Sequence, residues 1–346
     1  MELNLTKASA LARISKMTGQ TPLLVQAGGG NTSVKLDDQY MLVKTSGCRL
    51  ADITEHSGYS VVDYRRIADC FRGGEPEDAR EQEILAEALV QGGRSSIETF
   101  LHTVTKTYTI HTHPLGVSMY AARRSGMEQL KALFPEAVLV DYATPGIRLA
   151  KAFCRAMLAA PESRIVFLKN HGVVISADSE EEVVALQREL IERVDVSLGL
   201  DTSAFREGQR VFEALRSIGN GLIAYCADSD AVTRALQTAG GPWNHAYSPD
   251  CVVYCGNRMA VLKEDYVAEL RQHCNSYGTV KAVTAGGHVF AVADTISAAA
   301  DIASVLDMTA RLYLSGADQL LEPEECAFLL NWDSEKYRMQ AGRDHS

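Results

Sequence analysis

Between Ser95 and Pro114 the chain reads SSIETFLHTVTKTYTIHTHP, placing one carboxylate and three histidines within twenty residues. So dense a set of donors points to a metal and restricts the folds that can gather it. Tyr108 to His113 is rich in β-branched and aromatic residues, so a strand is expected there. Side chains alternate faces along a strand, so His111 and His113, two apart, point the same way. Ile97 to Thr107 fits a helix capped by Ser95 or Ser96, with Glu98 and His102 four apart on one side. An HxH pair is equally compatible with one exposed strand face, so a metal needs a third ligand from elsewhere. Arg164 to Lys169 reads as a buried strand running into Asn170-His171-Gly172, and strand ends are where α/β proteins place chemistry. Three neutral imidazoles with an open fourth position are a ligand set that a catalytic Zn²⁺ takes.

Ahead of this stretch, Lys7 to Met17 is expected to be an amphipathic helix, and Leu23 to Gln26 a strand ending at Ala27-Gly28-Gly29-Gly30-Asn31-Thr32-Ser33. Three successive glycines let the backbone turn sharply and expose its N–H groups, as an anion nest requires. The run is also compatible with a plain turn, and it fits neither a P-loop nor a GxGxxG fingerprint. Val34–Leu36 and Tyr40–Lys44 form a candidate hairpin around Asp37-Asp38, followed by Thr45-Ser46-Gly47.

Read together, Gly28 to Ser33, Lys44-Thr45-Ser46-Gly47, Glu98, His111-Thr112-His113-Pro114 and Asn170-His171-Gly172 resemble the class II aldolase/adducin family in order and spacing, over roughly the first 210 residues. The resemblance implies a divalent metal, Zn²⁺ by preference, on His111, His113 and His171, with Glu98 as the catalytic acid/base. It also implies a sugar-phosphate cup made by Gly30, Asn31, Ser46, Gly47 and Ser96. Lys44-Thr45 departs from the family's threonine-proline pair, and Lys44 is either a further phosphate or carboxylate contact or a solvated lysine at a strand end. The implied activity is retro-aldol cleavage of a ketose 1-phosphate, such as rhamnulose 1-phosphate, to dihydroxyacetone phosphate and an aldehyde. The same scaffold and metal also support epimerisation, dehydration and decarboxylation of sugar phosphates. An adducin-like binding module has no chemical use for three histidines and Glu98. The family's aldehyde-side tyrosine has no counterpart in Leu133 to Val140; Tyr142 aligns with a different position, which leaves that acid unassigned. His102 is expected to support the metal ligands from behind or to be structural, and the family's short members suggest a homotetramer.

Elsewhere strands and helices alternate: helices at Arg65–Phe71, Arg80–Gln91, Leu115–Arg124, Ile147–Leu158 and Ser179–Val196, strands at Ala137–Val140 and Val173–Ser176. This pattern implies layered α/β architecture. The expected organisation is a three-layer α/β/α class II aldolase-like domain over residues 1–215 and a smaller α/β domain over 216–346. In the second, Leu222–Cys226, Cys251–Gly256, Met259–Lys263 and a hairpin around Gly286-Gly287-His288 read as strands. The stretch from Ser248 to Tyr254, with the terminal Asn331 to Arg338, resembles the aldolase portion of bifunctional rhamnulose-1-phosphate aldolase/lactaldehyde dehydrogenase chains. A net charge of −10 argues against nucleic-acid partners, since a phosphate backbone demands a basic face. Eight scattered cysteines without a CxxC pair are expected to be reduced. The N-terminus shows no signal-peptide pattern, and no apolar run long enough for a membrane span occurs, so a cytoplasmic enzyme is expected.

Overall fold

The computed structural model describes residues 5–72, 80–238, 241, 244–256 and 258–331. The loop expected at Gly73-Gly74-Glu75-Pro76, the turn residues Gly240, Pro242, Trp243 and Asn257, and the terminal Trp332 to Arg338 lie outside the described residues. The chain divides after Thr202 into two compact units. The division precedes the expected boundary at residue 215 because helix Ser203–Ser217 buries Val211, Ala214 and Leu215 in the core of the second unit.

The first unit holds strands β1 (Asn31–Lys35), β2 (Tyr40–Lys44), β3 (Tyr59–Asp63), β4 (Leu89–Gln91), β5 (Tyr108–Thr112), β6 (Val138–Val140), β7 (Ile165–Leu168) and β8 (Gly172–Ala177). They form one sheet in the order β4-β3-β2-β1-β5-β8-β7-β6. Every neighbouring pair is antiparallel except β6 with β7. All residues of β7 and β8 are buried, which requires cover on both faces of the sheet. On one side Ile147–Ala159 sinks Leu149, Ala150, Phe153 and Met157 against Val166, Leu168 and Val174, with Phe100 and Leu101 beside them. Helices Leu5–Gly19 and Glu180–Leu198 pack on β1 and β8 and complete the α/β/α layering. The second of these begins at the expected capping box, where Ser179 Oγ accepts from Glu182 N–H, and stops at Gly199 in the left-handed region.

Local chemistry explains the departures. The expected helix from Ile97 to Thr107 keeps only Thr99–His102. Beyond it the β-branched Thr103 and Thr105 turn their hydroxyls onto the Phe100 and His102 carbonyls, competing with further helical turns. Leu23 to Gln26 forms turns in place of a strand, and its carbonyls at Leu24 and Leu23 accept from His113 and Leu115 N–H at 3.0 and 2.9 Å. The helix expected to reach Gln91 ends at Ala88 and gives way to β4.

In the second unit β9 (Ile223–Cys226), β10 (Ala260–Leu262), β11 (Ala282–Ala285) and β12 (His288–Ala293) form a sheet in the order β10-β11-β12-β9. The hairpin expected around Gly286-Gly287 joins β11 to β12. Cys251 to Gly256, expected as a strand, forms most of helix Pro249–Cys255 and its C-cap. Pro249, with its φ already near the helical value, starts that helix, and a short apolar run cannot distinguish helix from strand by periodicity. Among the described residues no helix is long and apolar enough to cross a membrane.

One helix separates core from surface. Phe153, 0% exposed, should cost about 3–5 kcal/mol as Phe153→Ala, because the lost transfer energy is joined by a cavity. Leu158→Ala on the same helix, at 82% exposure, should stay within about 0.5 kcal/mol. Chemical denaturation of the two variants checks the contrast.

Candidate metal centre

His111 lies near the end of β5, paired in register with Asn31 on β1 and Val174 on β8, and is fully buried. His113 follows just past the strand. His171 sits in the tight turn between β7 and β8, where Leu168 pairs with Gly172. Asn170 in that turn adopts φ of +53°, a left-handed conformation that asparagine tolerates better than most residues. A Cβ on Gly172 would collide with the Thr112 carbonyl and the His113 ring, so only glycine lets the hairpin come this close to β5. Glu98 occupies the N-cap position of Thr99–His102.

The three imidazole rings stand at centroid separations of 4.9, 5.0 and 4.9 Å. His113 Nε2 is 3.2 Å from His111 Nε2, and Glu98 Oε1 lies 3.3 Å from His111 Nε2 and 3.0 Å from His171 Nε2. One ligand atom from each of Glu98, His111, His113 and His171 falls within 4.8 Å of all the others, the one such cluster among the described residues. Val173 O, 3.0 Å from His111 Nδ1, accepts that nitrogen's proton and leaves Nε2 with its lone pair facing the cluster. Nitrogen lone pairs facing each other at this distance need a proton or a cation between them, and three imidazoles with one carboxylate are donors suited to a divalent transition metal.

The titration shifts describe the same cluster with a proton in the place a cation would take. Burial, together with the neighbouring His111 and His171, holds His113 at about 3, in the neutral form that ligates metal. Burial pushes the Glu98 carboxyl up, but the His111 charge and hydrogen bonds from both histidines outweigh it and hold the group ionised, well below the usual carboxylate range. Burial pushes His111 down, and the adjacent Glu98 charge and hydrogen bond more than reverse this, raising it.

The residues expected around a phosphate come from three loops that hydrogen bonds knit together. Ser46 N–H donates to Arg94 O at 2.8 Å, Ser96 N–H to Lys44 O at 3.3 Å, and Lys44 Nζ to Gly28 O at 3.3 Å. Lys44 is only 3% exposed, and its pKa is lowered by burial against the opposing charges of Cys48 and Glu98. It is therefore no solvated strand-end lysine. Gly30 has φ of +75°, and a Cβ there would lie 2.7 Å from Val25 Cγ1, so the turn before β1 requires glycine. Gly47, at φ of +84°, faces open space, and Ser46 is exposed. Ser96 Oγ accepts from Glu98 N–H at 3.3 Å and so braces the carboxylate's own backbone. Asn31 is fully buried, yet its side-chain oxygen and nitrogen both lack a partner among the described residues.

Sequence reasoning missed Ser95, whose Oγ is likewise buried without a partner; its adjacency to Ser96 was the available signal. His102 stands apart from the four converging groups. It is 0% exposed, with Nδ1 2.6 Å from Ser33 Oγ, and burial pushes it down to about 3. Tyr142 is 61% exposed.

Fold and site together define an α/β protein with a three-histidine, one-carboxylate centre at a strand end. The sequence profile of the Class II Aldolase and Adducin N-terminal domain matches residues 9–198, more than half of the chain, and the protein belongs to that family. Among solved structures, the N-terminal class II aldolase domain of a conserved protein from Thermoplasma acidophilum is 22% identical, with a TM-score of 0.50 over 57% of this chain and 95% of that one. YgbL from Klebsiella pneumoniae, a putative aldolase/epimerase/decarboxylase, is 18% identical, with a TM-score of 0.42 over 55% and 87%. L-fuculose-1-phosphate aldolase from Thermus thermophilus is 18% identical, with a TM-score of 0.39 over 57% and 95%. No curated protein sequence matches.

Purified protein is expected to carry about one divalent ion per chain. His171→Ala should lose it, while His102→Ala should keep most of it, as elemental analysis of the two variants will read. His102 also sets a pH dependence. Its folded pKa of about 3 lies below the ordinary 6.5, so its contribution to stability is complete above pH 6.5 and is lost as pH falls towards 3. Between pH 8 and pH 5 that loss is about 2 kcal/mol. Denaturation midpoints across this range should fall steeply in the wild type and less steeply in His102→Gln.

Proposed function

We propose that the protein is a metal-dependent carbon–carbon lyase that cleaves a ketose 1-phosphate, such as rhamnulose 1-phosphate, to dihydroxyacetone phosphate and an aldehyde. The observation that carries this reading is the ionised Glu98, with Oε1 at 3.3 and 3.0 Å from the Nε2 atoms of His111 and His171. The carboxylate of a proton-transfer group thus stands at the ligand atoms themselves. His111, His113 and His171 would hold the cation. When bound, it supplies Lewis-acid stabilisation of the negative charge that develops on substrate oxygen as the carbon–carbon bond breaks.

The remaining work falls to the chain's own groups. Glu98 carries the proton at the carbon beside the ketose carbonyl, returning it after cleavage and removing it in the reverse direction. Burial at 13% side-chain exposure keeps this carboxylate from being levelled by water. Asn31 and Ser95 offer buried polar atoms that have no partner among the described residues, a cost that a phosphate or hydroxyl of the substrate would relieve. Ser46, Gly47 and Ser96 supply the neighbouring loops, Gly30 the close turn, and Lys44 a buried positive charge that suits the same anion. Epimerisation, dehydration and decarboxylation of a sugar phosphate draw on the same charge stabilisation and differ in the bond that breaks.

Glu98→Gln is nearly isosteric and should keep the fold and bound metal, while turnover falls by about 10²–10⁴-fold, the usual contribution of a general acid/base. Dihydroxyacetone phosphate release from a panel of ketose 1-phosphates, measured beside metal content, is the test. Unchanged cleavage by the variant would remove Glu98 from the mechanism. Turnover of the panel without dihydroxyacetone phosphate would assign one of the other three reactions.

A further inference from the structure

The second unit carries a hydrogen-bonded chain of three side chains that shares no residue with the metal centre. His288 is the first residue of β12, and the two residues before it, Gly286 and Gly287, turn the hairpin at φ of +57° and +86°. A Cβ on Gly286 would run into the Glu207 side chain, so the hairpin tip lies directly against helix Ser203–Ser217. This delivers His288 to the first residue of that helix, with Nε2 2.8 Å from Ser203 Oγ. On its other side, Nδ1 is 2.6 Å from Asp228 Oδ2. Asp228 Oδ1 accepts from Val289 N–H at 2.9 Å, so both carboxylate oxygens are fixed. With Nδ1–H donating to Asp228, Nε2 carries the lone pair and accepts from the Ser203 hydroxyl.

We propose that Ser203, His288 and Asp228 form a second reactive site, an acyl-transfer centre that hydrolyses simple carboxylic esters. The hydroxyl has a base within reach, and the base has an orienting carboxylate, which is the arrangement that activates a serine. The serine also opens a helix of 15 residues, whose first-turn N–H groups have no intrahelical acceptor and favour negative charge nearby. Ser203 Oγ attacks the ester carbonyl carbon as its proton passes to His288 Nε2. The bond from that carbon to the alcohol oxygen breaks, and the alcohol leaves with the proton from His288. Water then attacks the acyl-serine, giving up a proton through His288, and the carboxylic acid departs as Ser203 is restored. Side-chain exposures of 15% for His288 and 26% for Asp228 leave the pair partly screened by solvent. That degree of activation suits esters, whose alcohols leave readily, over amides.

The test uses the full chain and a fluorophosphonate probe, with 4-nitrophenyl acetate as reporter substrate. One adduct at Ser203 by peptide mass spectrometry is expected, absent in Ser203→Ala. Labelling should slow by about 10²-fold or more in His288→Gln and by about 10-fold or more in Asp228→Asn. Ester hydrolysis should persist in His171→Ala and under chelator, which separates this site from the metal centre. A folded wild type that stays unlabelled where a control serine hydrolase reacts would overturn the proposal. So would an adduct formed equally fast in His288→Gln, which would reduce the network to a clasp between hairpin and helix. Should Ser203→Ala fold poorly, Ser203→Cys provides a second reading through the alkylation rate at residue 203. Slower alkylation once His288→Gln is added supports the site, and an unchanged rate refutes it.

Discussion

The first unit is arranged around an electrostatic liability. Three imidazoles and a carboxylate are drawn into one partly buried cluster, where His111 has no solvent contact at all. Charges removed from water in this way persist only when each is answered by another. Here His111 and Glu98 answer each other, with the Val173 carbonyl fixing the ring of the first. The scaffold that sustains this is central and rigid. β5 is hydrogen-bonded on both sides, so His111 cannot move without disturbing β1 and β8 together. His171 rides on a hairpin with a three-residue loop, and Gly172 lets that hairpin approach β5 closely.

Much of the centre could be read from the residues because its signals are local. The strand period places His111 and His113 on one face, and the tight turn after β7 coincides with Asn170-His171-Gly172. What was not legible depends on contacts distant in sequence. Lys44 looked as much like a surface residue as a site residue, and its bond to Gly28 O is made with a loop far off in sequence. Ser95 gave no sign beyond its neighbour, since an unpartnered hydroxyl is a property of packing. The helix from Ile97 failed at Thr103 and Thr105, where hydroxyls compete for the carbonyls a longer helix would need. Cys251 to Gly256 misled because a short apolar run obeys either period.

The two units also differ in how far composition foretold them. Each has its own sheet and core, and the domain boundary shifted because one helix, Ser203–Ser217, gives its apolar face to the second sheet. No glycine fingerprint or histidine pair advertised chemistry there. Ser203, Asp228 and His288 are far apart in sequence and are brought together by a hairpin tip resting on a helix, an arrangement that no spacing rule records.

The large sheet ends in β4 and β6, each of three residues, and the small one in β10 and β9, of three and four. A sheet margin is a row of unpaired N–H and C=O groups, and its capacity to recruit another chain grows with its length. Margins this short provide little template for intermolecular strand addition. Amyloid-like growth through these edges is thereby disfavoured.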